Sequence, residues 1–295
     1  MSASRSIDAL QARFGVADVV RFELDPNRLA RAVIATPQAE ASLYLQGAHV
    51  TQYRPRGQAP VLFLSARSAF VPGKAIRGGV PVIFPWFGPR AGDPTAPMHG
   101  FARVAEWDVE AVEVAPDGSA TIRLRLDASA AMRAAWPQDF SLRYRVGIGP
   151  ALALGLEVRN ASASAFTFEE ALHTYLAVAD VRQASLSGLS GTIYIDKTDE
   201  MTRKREESRA IRLAEETDRV YLGTRATCAL DDPRGGRRLV VDKQGSEVTV
   251  IWNPWMAKAA TMTDLAPDEW PRFVCIETAN AADHAVALAP GARHE

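Results

Sequence analysis

The sequence predicts a large all-β sandwich. Strand-length segments alternate apolar and polar residues with a period of two, turn residues separate them, and no βαβ rhythm or solenoid-length repeat interrupts them. The first element is the exception, because Ile7, Leu10 and Phe14 share a helical face and Gly15 stands at its stop. A turn at Pro116-Asp117-Gly118 then leads into Ile122, Leu124 and Leu126, which alternate with Thr121, Arg123 and Arg125. Residues 129–136 predict a second short helix, ended before Pro137. Phe140, Leu142, Tyr144, Val146 and Ile148 alternate with Ser141, Arg143, Arg145 and Gly147. A turn from Gly147 to Pro150 separates them from Leu152, Leu154, Leu156 and Val158. The mixed-charge stretch from Asp199 to Glu216 reads as a solvated loop or edge strand. Turns at Pro233–Gly236 and Gln244-Gly245 precede Val248, Val250 and Trp252, spaced again by two. Residues 1–295 are expected to form one domain, a length that all-β sandwiches reach.

Bulk properties narrow the function. With 47% hydrophobic and 23% charged residues the composition is globular, and a net charge of −1 gives no footprint for nucleic acid. A pocket for a small anion needs only two or three arginines and stays open. The two cysteines, Cys228 and Cys275, provide no disulfide framework and read as reduced thiols. Residues 1–20 hold Asp8 and Asp18 and no apolar signal core, and no run approaches 18 apolar residues. A cytoplasmic protein that does not enter a membrane is expected.

Three stretches break the strand rhythm. Arg77-Gly78-Gly79-Val80-Pro81-Val82-Ile83-Phe84-Pro85-Trp86-Phe87-Gly88 joins a glycine pair, able to take positive φ, to a stiff aromatic wall. His99-Gly100-Phe101-Ala102-Arg103 sets a His and an Arg around a glycine, and a guanidinium offers planar donors matched to phosphate oxygens. The third comprises Glu169–Tyr175 and Phe273–Thr278. If both are strands, His173 shares a face with Tyr175, and Glu277 lies opposite Val274 and Ile276, so both ionisable groups sit mid-strand in apolar surroundings. Each stretch alone is equally served by a turn, an aromatic core, a surface Arg or a satisfied buried polar group.

Together these stretches resemble the aldose 1-epimerase superfamily, in particular its hexose-6-phosphate mutarotase branch. The matching residues are Arg77-Gly78-Gly79-Val80-Pro81 with Phe84–Gly88, His99–Arg103, Ala171-Leu172-His173-Thr174-Tyr175, Glu216–Tyr221, Trp252-Asn253-Pro254-Trp255 and Cys275-Ile276-Glu277, in order from about residue 60 to 280. The resemblance implies a β-supersandwich (galactose mutarotase-like) with a few short helices. It implies His173 as general acid and Glu277 as general base. Asp218 would bind sugar hydroxyls, Arg77 and Arg103 the phosphate, and His99 would belong to the same binding loop. Met98 departs from relatives that carry Gln before the His-Gly pair.

The implied reaction interconverts the α and β anomers of a hexose 6-phosphate by opening and reclosing the ring, with neither metal nor organic cofactor. One group removes the O1 proton while another protonates O5. Trp86 or Trp252 is available to stack on the sugar ring. The expected partner is the sugar phosphate alone, and the expected state a monomer or weak dimer. Two other readings remain. An epimerase of unphosphorylated aldoses would turn Arg77 or Arg103 outward or lock it in an ion pair. A non-catalytic carbohydrate-binding module would not set His173 and Glu277 facing one another.

Overall fold

In the computed structural model, which describes residues 6–295, antiparallel sheets carry most of the chain. The alternating segments become strands. Ala120–Asp127 buries Ala120, Ile122, Leu124 and Leu126, and Phe140–Ile148 buries every second residue from Phe140 to Ile148. With Asp108–Val114, Leu152–Asn160 and Arg293–His294 they form a five-stranded sheet. A four-stranded meander, Val20–Leu24, Ala30–Ala35, Ala39–Tyr44 and His49–Pro55, shares its core, where Leu43, Val50, Ile122 and Tyr144 are fully buried. Such interdigitation of two inner faces is what a sandwich core requires.

The sheet that matters for chemistry is a third one. Its strands run in the order Thr202–Arg205, Ile193–Asp196, Thr217–Leu222, Val248–Asn253, Phe273–Asn280, Glu170–Leu172 and Val82–Ile83, and Tyr175–Ala177 also pairs with Phe273–Asn280. Here the simple alternation fails. Val248–Asn253 is buried on both faces, because Val250 packs into one apolar cluster and Ile251 into another. A central strand covered on both sides has no solvent face to mark.

The helices are short. Ser6 caps Ile7–Phe14 through its side chain, and Ser129 caps Ala130–Ala135 in the same way. Gly118, Gly236 and Gly245 take positive φ at the expected turns, whereas Gly147 stays inside its strand, opposite Ala153. The stretch from Asp199 to Glu216 supplies the edge strand Thr202–Arg205, but it is not wholly solvated. Glu206, Ile211 and Leu213 are buried, and Glu206 accepts from the Tyr221 hydroxyl at 2.8 Å.

Candidate active site

The register of the central sheet gathers the candidate residues on one face. Leu172 pairs with Thr278, and Tyr175 with Cys275. Carried across the gap between these two short strands, that register sets His173 opposite Glu277. Cys275 pairs in turn with Trp252, and Trp252 with Asp218. Directly opposed residues in antiparallel strands share a face. His173, Tyr175, Glu277, Cys275, Trp252 and Asp218 therefore look the same way.

His173 is not mid-strand, as the alternation suggested. It occupies the break between Glu170–Leu172 and Tyr175–Ala177, where its N–H donates to Pro81 O at 3.0 Å, and the Tyr175 N–H donates to Gly79 O at 2.9 Å. The Gly78-Gly79 segment thus runs alongside and carries Arg77 in. Gly79 has φ +62°, and a Cβ there would lie 2.3 Å from Val50 O, so only glycine fits this close approach. His49, fully buried, fixes the same segment by a 2.7 Å bond from Nε2 to Gly78 O. On the far side Gly100, at φ +72°, lies so near Phe84 O that a Cβ would stand 2.0 Å away. That packing holds the His99–Arg103 loop.

The two proposed catalytic groups touch. His173 Nε2 is 3.3 Å from Glu277 Oε1, with both side chains buried. His173 Nδ1 and Glu277 Oε2 are buried without a protein partner. Burial, followed by the charges of His99, Arg77 and Arg103, pushes the imidazole well below its ordinary range. Burial and then Asp218 push the Glu277 carboxyl well above its own. Both charged forms are disfavoured singly.

Around the pair, Tyr175 lies parallel to His173, and Trp252 meets it edge-on at 5.9 Å. Trp252 is thus a buried buttress of the His173 ring. Trp86 donates from Nε1 to Pro97 O and has Arg90 over its ring at 5.1 Å, so it pins a loop. His99 packs on His173 at 5.7 Å, and its Nδ1 accepts from the Gly88 N–H at 3.1 Å. Burial and then Arg103 depress the His99 imidazole well below its usual range, so its neutral form carries the proton on Nε2. Asp218 is held by Lys197 at 3.0 Å, and burial raises its carboxyl.

The two arginines differ. Arg77 donates from Nε and Nη2 to Asp264 at 3.2 and 3.0 Å, and from Nη1 to the Tyr175 hydroxyl at 2.8 Å. Arg103 donates to Met98 O at 2.6 Å, leaves Nε buried without an acceptor, and has no carboxylate within 4.0 Å among the described residues. Burial, reinforced by Arg77, lowers its guanidinium to about 10.

Tyr175, Lys197 and Asp264 had no assigned part in the sequence reading. Tyr175 was signalled by sharing the His173 face; Lys197 and Asp264 arrive from loops with no periodic pattern. A groove of about 1000 Å³ lies elsewhere, lined by Leu172, Thr174, Leu176 and Thr278 on the opposite face of the sheet. His173 and Glu277 face away from it.

The sequence model of the aldose 1-epimerase family matches residues 31–295. A protein of Escherichia coli (strain K12), provisionally named glucose-6-phosphate 1-epimerase, is 38% identical over 257 residues, covering 87% of this chain and 85% of its own. The crystal structure of a provisionally named mutarotase from Salmonella typhimurium superposes with a TM-score of 0.86 at 32% identity, over 97% of this chain and 96% of that one. A galactose mutarotase-like protein from Clostridium acetobutylicum, 14% identical, shares the fold with a TM-score of 0.69 over 93% and 95% of the two chains.

Proposed function

The chain belongs to the aldose 1-epimerase family, and from that premise we propose that it is a hexose-6-phosphate mutarotase, a glucose-6-phosphate 1-epimerase in the first instance. The observation that carries the reading is the contact between His173 and Glu277. In a cyclic sugar the ring oxygen O5 and the hydroxyl oxygen O1 are bonded to the same carbon. An acid and a base serving both must converge on one small volume. A glycosidase instead holds its two carboxyl groups about 5 Å or more apart.

The pair holds one mobile proton between Nε2 and Oε1. The ion pair and the neutral pair differ only in which end holds it, so contact with Glu277 lets an imidazolium form in so buried a place. When the hemiacetal enters, His173 gives its proton to O5, the C1–O5 bond breaks, and Glu277 takes the O1 proton. The product is an open aldehyde with a free O5 hydroxyl, and the enzyme proton now rests on Glu277. Rotation about C1–C2 followed by the reverse transfers closes the other anomer. Each positioned transfer contributes about 10²–10⁴-fold.

His99 Nε2–H, Asp218 and Trp252 support a sugar-binding role by facing the same volume. For the phosphate, Arg103 is the stronger anchor, since among the described residues no carboxylate pairs with it. A dianion bound there would aim C1 at the pair using binding energy remote from the reacting bond. Arg77 supports the other reading, an epimerase of free aldoses, because Asp264 and Tyr175 already occupy its donors. We favour the phosphate because one guanidinium with no carboxylate partner among the described residues suffices to recognise it. Two buried, unpaired thiols, Cys228 and Cys275, suit a reducing cytoplasm. We further propose one domain, acting as a monomer or weak dimer without a cofactor.

Calorimetry with 1,5-anhydroglucitol 6-phosphate, which cannot ring-open, tests the phosphate assignment. It should bind at least about tenfold more tightly than 1,5-anhydroglucitol, the scale of a charge-assisted contact. Equal binding of the two would transfer support to the free-aldose reading.

A further inference from the structure

Beneath the acid–base pair lies a third reactive side chain that mutarotation does not use. Cys275 sits two residues before Glu277 on the same face of the strand, fully buried and with no hydrogen-bond partner among the described residues. One ligating atom each from His173, Cys275 and Glu277 lies within 4.8 Å of the others. We propose that this trio captures soft divalent cations, Zn²⁺ or Cd²⁺, and that capture shuts the active site.

The donor set supports this. Imidazole, thiolate and carboxylate with one open position are what Zn²⁺ takes at three-ligand sites, with bonds of about 2.0–2.3 Å. The 3.3 Å separation of His173 Nε2 and Glu277 Oε1 already suits one edge of such a tetrahedron. Only Cys275 has to close in, and its thiol proton leaves to solvent. The bound ion would occupy the two atoms that exchange protons with the sugar.

The surroundings set which ions bind. Arg77 and Lys197 are neutralised by Asp264 and Asp218, but Arg103 presents a positive charge with no carboxylate partner among the described residues. A hard cation such as Mg²⁺ or Ca²⁺ gains nothing from a thiolate and meets that repulsion. A soft cation is compensated by its sulfur bond.

The inhibition half of this inference rests on the mutarotase reading, whereas metal capture does not, and the test separates them. Full-length protein, treated with chelator in thiol-free buffer, is titrated with Cd²⁺ or Zn²⁺ while anomer exchange and the ultraviolet thiolate–cadmium band are followed. The wild type should show the band, lose at least about tenfold of its exchange rate and recover with EDTA, while Mg²⁺ and Ca²⁺ leave it unchanged. Cys275→Ser should keep wild-type exchange, lose the band and tolerate more than about a hundredfold more Cd²⁺, beyond the loss from an outer-shell partner alone. Cys228→Ser should behave as wild type. Should Cys275→Ser fail to fold, saturating sugar phosphate should slow appearance of the band in the wild type. A band that persists in Cys275→Ser or vanishes in Cys228→Ser would overturn the metal site; in a protein that does exchange sugar phosphate, a band indifferent to that ligand or one that leaves exchange untouched would overturn the proposal. A band in a protein that exchanges no sugar would retain the metal site and remove the mutarotase reading.

Discussion

Tyr175 lies flat on His173, with ring centroids 4.8 Å apart and planes 11° from parallel, while its hydroxyl accepts from Arg77 at 2.8 Å. One side chain therefore touches both the proposed acid and one of the proposed phosphate ligands. The ring holds the imidazole in plane, and the hydroxyl fixes where the guanidinium ends. This separates two functions that a single substitution can resolve.

Tyr175→Phe keeps the stack and removes the acceptor. KM for glucose 6-phosphate should rise about tenfold or more, in line with about 1.5–3 kcal/mol for a lost hydrogen bond to a charged group. Turnover at saturation should stay within about threefold, since the imidazole is still held. Steady-state kinetics on this variant decide it; a large fall in kcat with KM intact would place the hydroxyl in the proton transfer instead.

Glu277→Gln removes the base while keeping the shape of the side chain. The exchange rate should fall by at least about 10², the lower scale of a positioned acid or base. Thermal stability should hold, because the replaced carboxyl is fully buried and its charged form disfavoured by that burial. Turnover near that of the wild type would remove Glu277 from the mechanism.

Arg103→Ala should separate phosphorylated from free sugars. Its guanidinium pairs with no carboxylate among the described residues, so the loss falls on the substrate. We expect KM for the 6-phosphate to rise about tenfold or more, with weak activity on free glucose unchanged. Equal damage to both substrates would mean that Arg103 shapes the loop rather than binding phosphate.

His49 predicts a pH dependence of stability. Burial depresses its imidazole to about 4, so the unfolded chain takes up a proton first as the pH falls. Its contribution is full above the unfolded value near 6.5 and is lost progressively between about 6.5 and 4, by up to about 3 kcal/mol. Urea midpoints measured from pH 7.5 to 4 should fall less steeply for His49→Gln than for the wild type. Identical slopes would assign the acid sensitivity to other groups.

The legibility of this site in the sequence follows from its parts. Period two exposed Ala120–Asp127 and Phe140–Ile148 because each has one solvent face. The same rule misjudged Val248–Asn253, covered on both sides. His173 and Glu277 stood out as ionisable residues in apolar runs, but their meeting depends on a register set by pairings about a hundred residues apart. Asp264 and Lys197 carried no signal, since a loop carboxylate or ammonium looks alike whether it faces water or an active site. The commitment of Arg77 to Asp264, and the freedom of Arg103 from any such partner among the described residues, are three-dimensional facts that no motif encodes.

The most direct measurement is anomer exchange of glucose 6-phosphate by NMR saturation transfer, with glucose and galactose in parallel. The account predicts that wild-type protein accelerates α–β exchange of the phosphate well above that of either free sugar, and that Glu277→Gln abolishes the effect. Acceleration of the free sugars alone would contradict the phosphate assignment. No acceleration of any of the three would contradict the mutarotase reading itself.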